Sequence, residues 1–236
     1  MITGGPSVGE QFSGLKLDHL LFIGSNRVAK KVAAQAAKNL VPTTLELGGK
    51  SPTIIGTNAN MALAAERILF SKTLNAGQIC LSPDYIFVNK DEERNLISEL
   101  QKAYSKFFPE PNSDNQTSMV NKHHLKRMNS YLLDATKKGA TVESLGKNDD
   151  LNRNMISTKI VTEVNDGMDV MKHEIFGPVL PIMTYDSISD VVDYINKNDN
   201  PLGLYYFGRS QSEQNFVINN TRSGGVTVND TLFHIC

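Results

Sequence analysis

The sequence predicts an α/β protein built on a mainly parallel sheet. Short apolar runs alternate with longer segments of helical spacing along the 236 residues, and this alternation is typical of parallel strands joined by helices. Apolar residues make up 40% of the chain and charged residues 21%, which is ordinary for a globular protein that can bury a sizeable core.

The first predicted strand covers residues 17–23 and ends at Gly24 and Ser25. A helix follows, which Ser25 or Asn26 begins and Pro42 ends. Its apolar positions recur at helical spacing, at Val28, Val32, Ala36 and Leu40. Two strands are predicted next, over residues 43–47 and 52–55, the first closed by a Gly-Gly pair.

The middle of the chain predicts a helix over residues 59–74, which Gly77 interrupts, and a strand over 85–88. Asp91 is the predicted N-cap of the following helix. The apolar face of that helix consists of Leu96, Ile97, Leu100, Tyr104 and Phe107.

A further helix is predicted around Leu125, Met128, Leu132 and Ala135, with Gly139 at its C-terminal end. Residues 179–185 predict a strand, and Pro181 within it favours an edge position or a bulge because proline has no N–H to donate. A helix then carries its apolar face on Ile188, Val191, Val192 and Ile195. The last predicted strands cover residues 204–207 and 226–228.

Composition excludes several classes of function. A formal net charge of −1 gives no long-range attraction to nucleic acid or to an anionic membrane. The sequence contains no uncharged apolar segment of membrane-spanning length and no secretory signal. Its two cysteines, Cys80 and Cys236, do not make a disulfide framework, so we expect a reducing, cytoplasmic location. No metal site is expected.

Two residues suggest covalent chemistry. Cys80 follows a helical segment and precedes a strand, so it lies on a connection at the edge of a sheet, where it is either a nucleophile or a small buried apolar residue. Glu46 lies in an apolar strand before Gly48 and Gly49. A buried carboxylate there is unusual because burial penalises its charge, and the alternative is a strand-end glutamate that faces solvent.

Two further features suit a nucleotide. Glu174 and Phe176 stand two apart in a predicted extended segment and should point to one side, offering an acceptor for a sugar hydroxyl and a ring for stacking. The alternative is a turn before a strand. Gly24, between a strand and a helix, would let a dinucleotide approach the helix N–H groups, although no GxGxxG is present.

Three separated motifs carry a family resemblance. LELGGKSP at 45–52, GQIC at 77–80 and HEIFGP at 173–178 resemble the aldehyde dehydrogenase superfamily, in order and in the 34-residue separation of Glu46 from Cys80. SPDYI at 82–86, PVLPI at 178–182 and SGGVTVND at 223–230 resemble its class 3 and fatty aldehyde members. The resemblance implies an aldehyde dehydrogenase-like α/β fold. Residues 1–47 would end a Rossmann-like cofactor domain, and residues 48–236 would form an α/β catalytic domain.

The resemblance also implies roles for these residues. Cys80 matches the nucleophile that forms a thiohemiacetal and then a thioester, and Glu46 matches the base that activates water to hydrolyse it. The cofactor would be NAD or NADP. Its binding residues would be Glu174 at the nicotinamide ribose, Phe176 at the nicotinamide, and Gly24 and Ser25 near the pyrophosphate. Lys50 has a structural role in this scheme. The substrate would be a medium or long-chain aliphatic or an aromatic aldehyde.

The chain departs from the family pattern at Ala29, where glycine is usual, and at Ile23, where threonine is usual. The family's oxyanion-hole asparagine, an upstream cofactor-binding lysine and an oligomerisation tail have no counterpart in the chain. We therefore expect a fragment of a longer, homodimeric enzyme, inactive or poorly active alone, and we assign Cys236 no role. The resemblance leaves open whether the longer form is membrane-anchored.

Three alternatives remain. A CoA-acylating relative would use the same cysteine, but such enzymes typically lack the glutamate base that Glu46 matches. A papain-like hydrolase would pair Cys80 with one of His123, His124, His173 or His234, without a supporting cysteine signature. A truncated chain would act as a subunit or a regulatory remnant.

Overall fold

The computed structural model describes residues 1–109, 115–147 and 149–233, so His234 and Cys236 lie outside the described residues. The chain divides into two compact units, Met1–Gly48 and Gly49–Cys236.

The first unit is a small parallel αβ arrangement. It contains α1 (Pro6–Ser13), β1 (Leu20–Gly24), α2 (Asn26–Ala37) and β2 (Thr43–Leu47). The two strands pair in parallel, with Leu20 opposite Thr43 and Gly24 opposite Leu47. Its buried core consists of Leu20, Val32, Ala36 and Val41.

The predicted apolar face of α2 is partly wrong. The helix ends at Ala37, and Leu40 follows it with a φ of 56° and 90% exposure. Residues spaced strictly four apart drift by about 40° per step around a helix. The stripe that is buried instead is Ala29, Val32 and Ala36, whose spacing stays on one face.

The second unit contains seven strands and six helices in its described residues. The strands are β3 (Pro52–Ile55), β4 (Tyr85–Asn89), β5 (Thr141–Ser144), β6 (Lys159–Thr162), β7 (Val179–Tyr185), β8 (Gly203–Phe207) and β9 (Gly225–Val228). The helices are α3 (Met61–Thr73), α4 (Glu93–Phe107), α5 (Lys122–Lys137), α6 (Asp169–Lys172), α7 (Ile188–Lys197) and α8 (Gln211–Asn220). Sequence patterns did not predict α1, β5, β6, α6 or α8.

The sheet of the second unit has the order β5-β6-β7-β4-β3-β8-β9. All neighbours are parallel except β5 and β6, so the predicted mainly parallel α/β fold is confirmed. Side chains alternate between two apolar cores. Tyr205 and Phe207 pack with residues of α3 and α4 on one face, and Leu204 and Tyr206 pack with residues of α5, α7 and α8 on the other.

The edge position predicted for Pro181 is wrong, because β7 lies inside the sheet between β6 and β4. The proline is tolerated for a reason of register. Residues 179–181 pair with β6, and pairing with β4 begins at Ile182. Pro181 therefore stands where the pairing passes from one neighbour to the other, and no residue of β4 is paired with it.

One predicted helix end is wrong and one is confirmed. Asp91 does not cap α4, which begins at Glu93 after a short 3-10 turn whose Asp91 N–H donates to the Asn89 side chain. The confirmed helix end is that of α5, which is followed by Gly139 with a φ of 99°. This left-handed conformation suits glycine.

The topology brings three loops to one edge. Strands β3, β4 and β7 are adjacent and parallel, so the segments that precede them meet at the amino-terminal edge of the sheet. These segments are residues 49–51, 74–84 and 173–178. Within the described ranges, no helix has the length and apolar character needed to cross a membrane.

Candidate active site

Asp84 ties the three loops together at this edge. The side chain is buried, and its Oδ1 accepts the backbone N–H of Ile175 at 2.9 Å. The Lys50 ammonium donates to its Oδ2. The Asp84 backbone N–H donates to the Ser51 carbonyl at 2.9 Å. Asp84 thus joins the loops before β3, β4 and β7. Charge-assisted hydrogen bonds of this kind are stronger than those between neutral groups.

Lys50 adds one bond to helix α6 and one to the third loop. Its Nζ donates to the Val170 carbonyl at 3.0 Å and to the His173 carbonyl at 3.2 Å. All three of its donors therefore have acceptors within the protein. This arrangement agrees with the structural role expected for Lys50.

The chain turns sharply between α3 and Cys80. Asn75, Ala76 and Gly77 have φ values of 50°, 55° and 70°, three left-handed residues in succession. A Cβ on Gly77 would lie 2.6 Å from the Gly177 carbonyl oxygen. The backbone of the cysteine loop therefore lies against the backbone of the HEIFGP loop, at a distance that only glycine allows.

Gln78 holds the strained turn in place. Its Nε2 donates to the carbonyls of Asn75 at 2.9 Å and Ser118 at 3.2 Å, and its Oε1 accepts the Val120 N–H at 2.9 Å. Left-handed backbone in non-glycine residues costs about 1–3 kcal/mol each and persists where the surroundings fix it. Gln78 supplies such surroundings from inside the loop.

Cys80 stands on the next turn, which the Ser82 N–H closes by donating to the Ile79 carbonyl at 2.9 Å. Its side chain is half-buried. The cysteine is therefore displayed on a tight turn at the sheet edge, which is how a nucleophile is kept accessible and oriented.

The HEIFGP loop is held by Arg127 of α5, whose guanidinium donates to the carbonyls of Ile175 at 2.7 Å and Phe176 at 3.3 Å. The prediction that this segment is regularly extended is wrong, because Phe176 has a φ of 47°. Ile175 is buried, while Glu174 and Phe176 are half-buried on either side of it.

Two titratable groups near this edge depart from their ordinary behaviour. Burial raises the pKa of Glu174 to about 7, with the nearby Asp84 charge adding to the shift and the Gly49 N–H opposing it. Burial lowers the pKa of Lys72 to about 8, against the opposing Asp84 charge. Lys72 is fully buried in α3 and donates to the Pro83 carbonyl at 2.9 Å. Shifted groups of this kind are common at active sites.

A cleft adjoins the cysteine loop. Its volume is about 320 Å³, and its lining residues are Asn75, Gln78, Ser118, Val120 and Phe176. Phe176 therefore shares a cleft with two residues of the loop that carries Cys80, and this space is open to a small molecule.

The other predicted site residues lie in the first unit. Ser25 is the N-cap of α2, but its side chain makes no capping bond, and the first turn has no acidic residue. Gly24 precedes it at the end of β1, and a Cβ there would lie 2.6 Å from the Phe22 ring. Glu46 is exposed near the end of β2, so the interpretation that its carboxylate is buried is wrong. Only the LELGGKSP motif marks Glu46 as a candidate site residue.

The structure thus gathers Cys80, Glu174 and Phe176 at one edge of the second unit, whereas Gly24, Ser25 and Glu46 belong to the first unit. Sequence reasoning missed Asp84, Lys72 and Arg127, which fix the edge. A lysine inside the apolar helical stretch before Cys80 was a signal for Lys72. Among the described residues, no cluster of His, Cys, Asp and Glu could hold a metal ion.

The chain has known relatives along its whole length. The model of the "Aldehyde dehydrogenase family" matches residues 1–235. A "Probable coniferyl aldehyde dehydrogenase" of Caulobacter vibrioides is 46% identical over 240 residues, which cover 100% of this chain and 50% of that protein. Mouse aldehyde dehydrogenase family 3 member A2 is 35% identical over 236 residues, 99% of this chain and 48% of that protein. The chain spans about half the length of the curated relatives it matches.

A solved structure gives the same result. Betaine aldehyde dehydrogenase from Staphylococcus aureus, in complex with NAD+, superposes with a TM-score of 0.88 at 26% identity. The match covers 98% of this chain and 48% of that one. The fold is therefore shared along nearly the whole chain.

Proposed function

Because the chain belongs to the aldehyde dehydrogenase family, we propose that it carries the catalytic cysteine of an NAD(P)-dependent enzyme that oxidises an aldehyde to the carboxylic acid. The observation that carries the proposal is the placement of Cys80. It stands on a hydrogen-bonded turn at a sheet edge, in a loop whose Gly77 lies against the HEIFGP loop and whose Asn75 and Gln78 line a cleft of about 320 Å³. In this proposal, the unit Met1–Gly48 belongs to the cofactor domain and Gly49–Cys236 to the catalytic domain.

Cys80 acts as the nucleophile in this scheme. Its thiolate attacks the aldehyde carbonyl carbon, and the new C–S bond gives a thiohemiacetal whose oxyanion accepts from the Cys80 backbone N–H. Hydride then leaves that carbon for the acceptor that a bound NAD(P) would supply, and a thioester remains. Water then adds to the thioester, the C–S bond breaks, and the acid leaves with the thiolate restored. The left-handed turn and the Gln78 bonds supply the rigid mounting that such a geometry needs.

Glu46 is the proposed base that takes a proton from the attacking water. The support is its place in LELGGKSP, with Gly48 and Gly49 following. Its exposure is compatible with reaching water. Hydrolysis to the free acid, rather than transfer to CoA, follows from a base at this position.

The residues present fit a dinucleotide. Helix α2 begins with N–H groups that the Ser25 side chain does not cap and that no acidic residue neutralises, which suits the pyrophosphate anion. Glu174 offers a half-buried carboxylate for a ribose hydroxyl, and Phe176 offers a ring at the cleft. When bound, NAD(P) supplies the hydride acceptor.

The substrate class is proposed as aromatic or medium to long-chain aliphatic aldehydes. The support comes from relatives that are named for coniferyl aldehyde, which carries an aromatic ring, and for 4,4'-diaponeurosporen-aldehyde. Coniferyl aldehyde itself is the first substrate to try.

The proposal is tested in a chimera. Because the chain matches half of the Caulobacter relative, the other half of that relative is joined to it to supply the remaining residues. We expect aldehyde-dependent NAD(P)H formation by the chimera and its loss in Cys80→Ala, with NAD affinity retained. Turnover by Cys80→Ala equal to that of the unmutated chimera would refute the proposal.

A further inference from the structure

Resting on the proposed function, we infer that Tyr205 is a positioning residue for Cys80, because its buried hydroxyl fixes the turn on which the cysteine stands. Tyr205 lies in β8, on the face of the sheet that packs against α3 and α4, and its side chain is fully buried. A buried tyrosine hydroxyl needs a partner, and the acceptor of its hydrogen bond is in the cysteine turn.

The hydroxyl of Tyr205 donates to the carbonyl of Leu81 at 2.5 Å. Leu81 directly follows Cys80, and both are central residues of the turn that the Ser82 N–H closes on the Ile79 carbonyl. The turn is therefore held twice, by its own backbone bond and by a side chain 124 residues further along the chain. The second bond fixes the direction of the Leu81 carbonyl dipole.

The environment of the hydroxyl links it to the cysteine electrostatically as well. Burial raises the pKa of Tyr205, a bond from the Leu232 backbone N–H opposes the shift, and the charge of Cys80 raises it further. The tyrosine oxygen is thus anchored by the segment after β9 on one side and reaches the cysteine turn on the other. It stays neutral and acts as a donor.

Gly203 makes this arrangement possible. It lies two residues before Tyr205 on the same face of β8, and a Cβ there would lie 2.9 Å from the tyrosine Oη and 3.2 Å from a Leu81 methyl carbon. A side chain at position 203 would displace the hydroxyl from the Leu81 carbonyl. The contact therefore depends on two residues of one strand.

Loss of the hydroxyl has a predictable chemical effect. The buried Leu81 carbonyl would be left without its donor, which is costly. It would turn to compete for the N–H groups of the turn, and its negative end would then approach the sulfur. A carbonyl dipole in that position disfavours the thiolate, so the pKa of Cys80 should rise.

The strand provides a matched control. Tyr206, the next residue, is also fully buried, but it packs on the opposite face and its hydroxyl donates to the Glu213 carboxylate at 2.9 Å. Tyr205→Phe and Tyr206→Phe each remove one buried hydroxyl from neighbouring positions of the same strand. Only the first touches the cysteine turn.

The test uses the full chain and needs no cofactor. Alkylation of Cys80 by iodoacetamide is followed from pH 6 to 9 by mass spectrometry of the Cys80 peptide, which distinguishes it from Cys236. We expect Tyr205→Phe to move the midpoint of the rate profile up by about half a pH unit or more, so that the thiolate fraction at pH 7 falls about threefold. Tyr206→Phe should leave the midpoint unchanged. Gly203→Ala, which keeps the hydroxyl but displaces it, should shift the midpoint upward as well.

Equal midpoints for Tyr205→Phe and Tyr206→Phe would overturn the inference, and so would an unshifted Gly203→Ala. Failure of the proposed function would look different. In that case, Cys80→Ala would remain active in the chimera. A general loss of stability would lower the melting temperature of both tyrosine variants without separating their midpoints.

Discussion

Replacement of Gly77 by alanine tests the contact between the cysteine loop and the HEIFGP loop. Gly77 has a φ of 70°, and an added Cβ would lie 2.6 Å from the Gly177 carbonyl oxygen and 2.9 Å from its carbon. Both are backbone atoms, so no flexible side chain can move aside. Gly139 is a matched control, because it also has a left-handed φ, 99°, but nothing lies within 4 Å of its Cβ position.

The two substitutions share one cost and differ in another. An alanine held in left-handed backbone costs about 1–2 kcal/mol, and both variants incur this loss. Gly77→Ala adds steric overlap in a packed region, which typically costs about 1–3 kcal/mol. We therefore expect Gly139→Ala to lower the free energy of unfolding by about 1–2 kcal/mol and Gly77→Ala by about 2–5 kcal/mol, from the sum of those ranges.

Urea denaturation followed by far-ultraviolet circular dichroism measures both values. Both glycines belong to the unit Gly49–Cys236, so the same unfolding transition reports them, and midpoints are compared at a common slope. Gly77→Ala should also change the alkylation rate of Cys80, whereas Gly139→Ala should not. Unfolding free energies of the two variants within about 0.5 kcal/mol of each other would refute the reasoning, since the steric cost is expected to exceed the usual error of additivity.

Three further predictions concern titration and catalysis. The pKa of Glu174 is raised from 4.5 to about 7, so between these pH values the folded state retains a proton that the unfolded state has lost. The free energy of unfolding should therefore fall as pH rises from 4.5 to 7.5, and Glu174→Gln should remove this dependence in urea titrations. The pKa of Lys72 is lowered from 10.5 to about 8, so the free energy of unfolding should rise between pH 8 and 10.5. Lys72→Met should abolish this rise, and a rise that persists in the variant would exclude Lys72 as its source. In the chimera, Glu46→Gln should slow steady-state turnover by roughly 10²-fold, the scale for loss of a general base, while a burst of NAD(P)H survives; an unchanged steady-state rate would exclude the role.

Much of the fold could be predicted because local signals bounded it. Strands Thr43–Leu47 and Pro52–Ile55 have the predicted limits, since glycine, proline and polar residues flank them. The short strands Thr141–Ser144 and Lys159–Thr162 were missed, because four residues of mixed polarity show no clear period. Pro181 was wrongly assigned to an edge strand. Whether a proline is tolerated inside a sheet depends on where the two neighbouring ladders begin and end, and this is tertiary information.

The site was predictable only as far as motifs reach. GQIC and HEIFGP single out Cys80, Glu174 and Phe176, but the residues that hold them are distant in sequence. Asp84 meets Ile175 across 91 positions and Tyr205 meets Leu81 across 124. Alternation predicts that a strand tyrosine is buried, but no pattern along the chain tells which carbonyl its hydroxyl reaches.

The most direct test of the proposed chemistry is the mass of the Cys80 peptide after reaction. The chimera carrying Glu46→Gln, which should retain the thioester, is mixed with coniferyl aldehyde and NAD+, quenched in acid and digested. We predict that the Cys80 peptide gains the mass of the aldehyde less two hydrogen atoms, in amounts equal to the NADH formed, and gains nothing without NAD+. NADH formation with an unmodified Cys80 peptide, or with the adduct on another residue, would contradict the account.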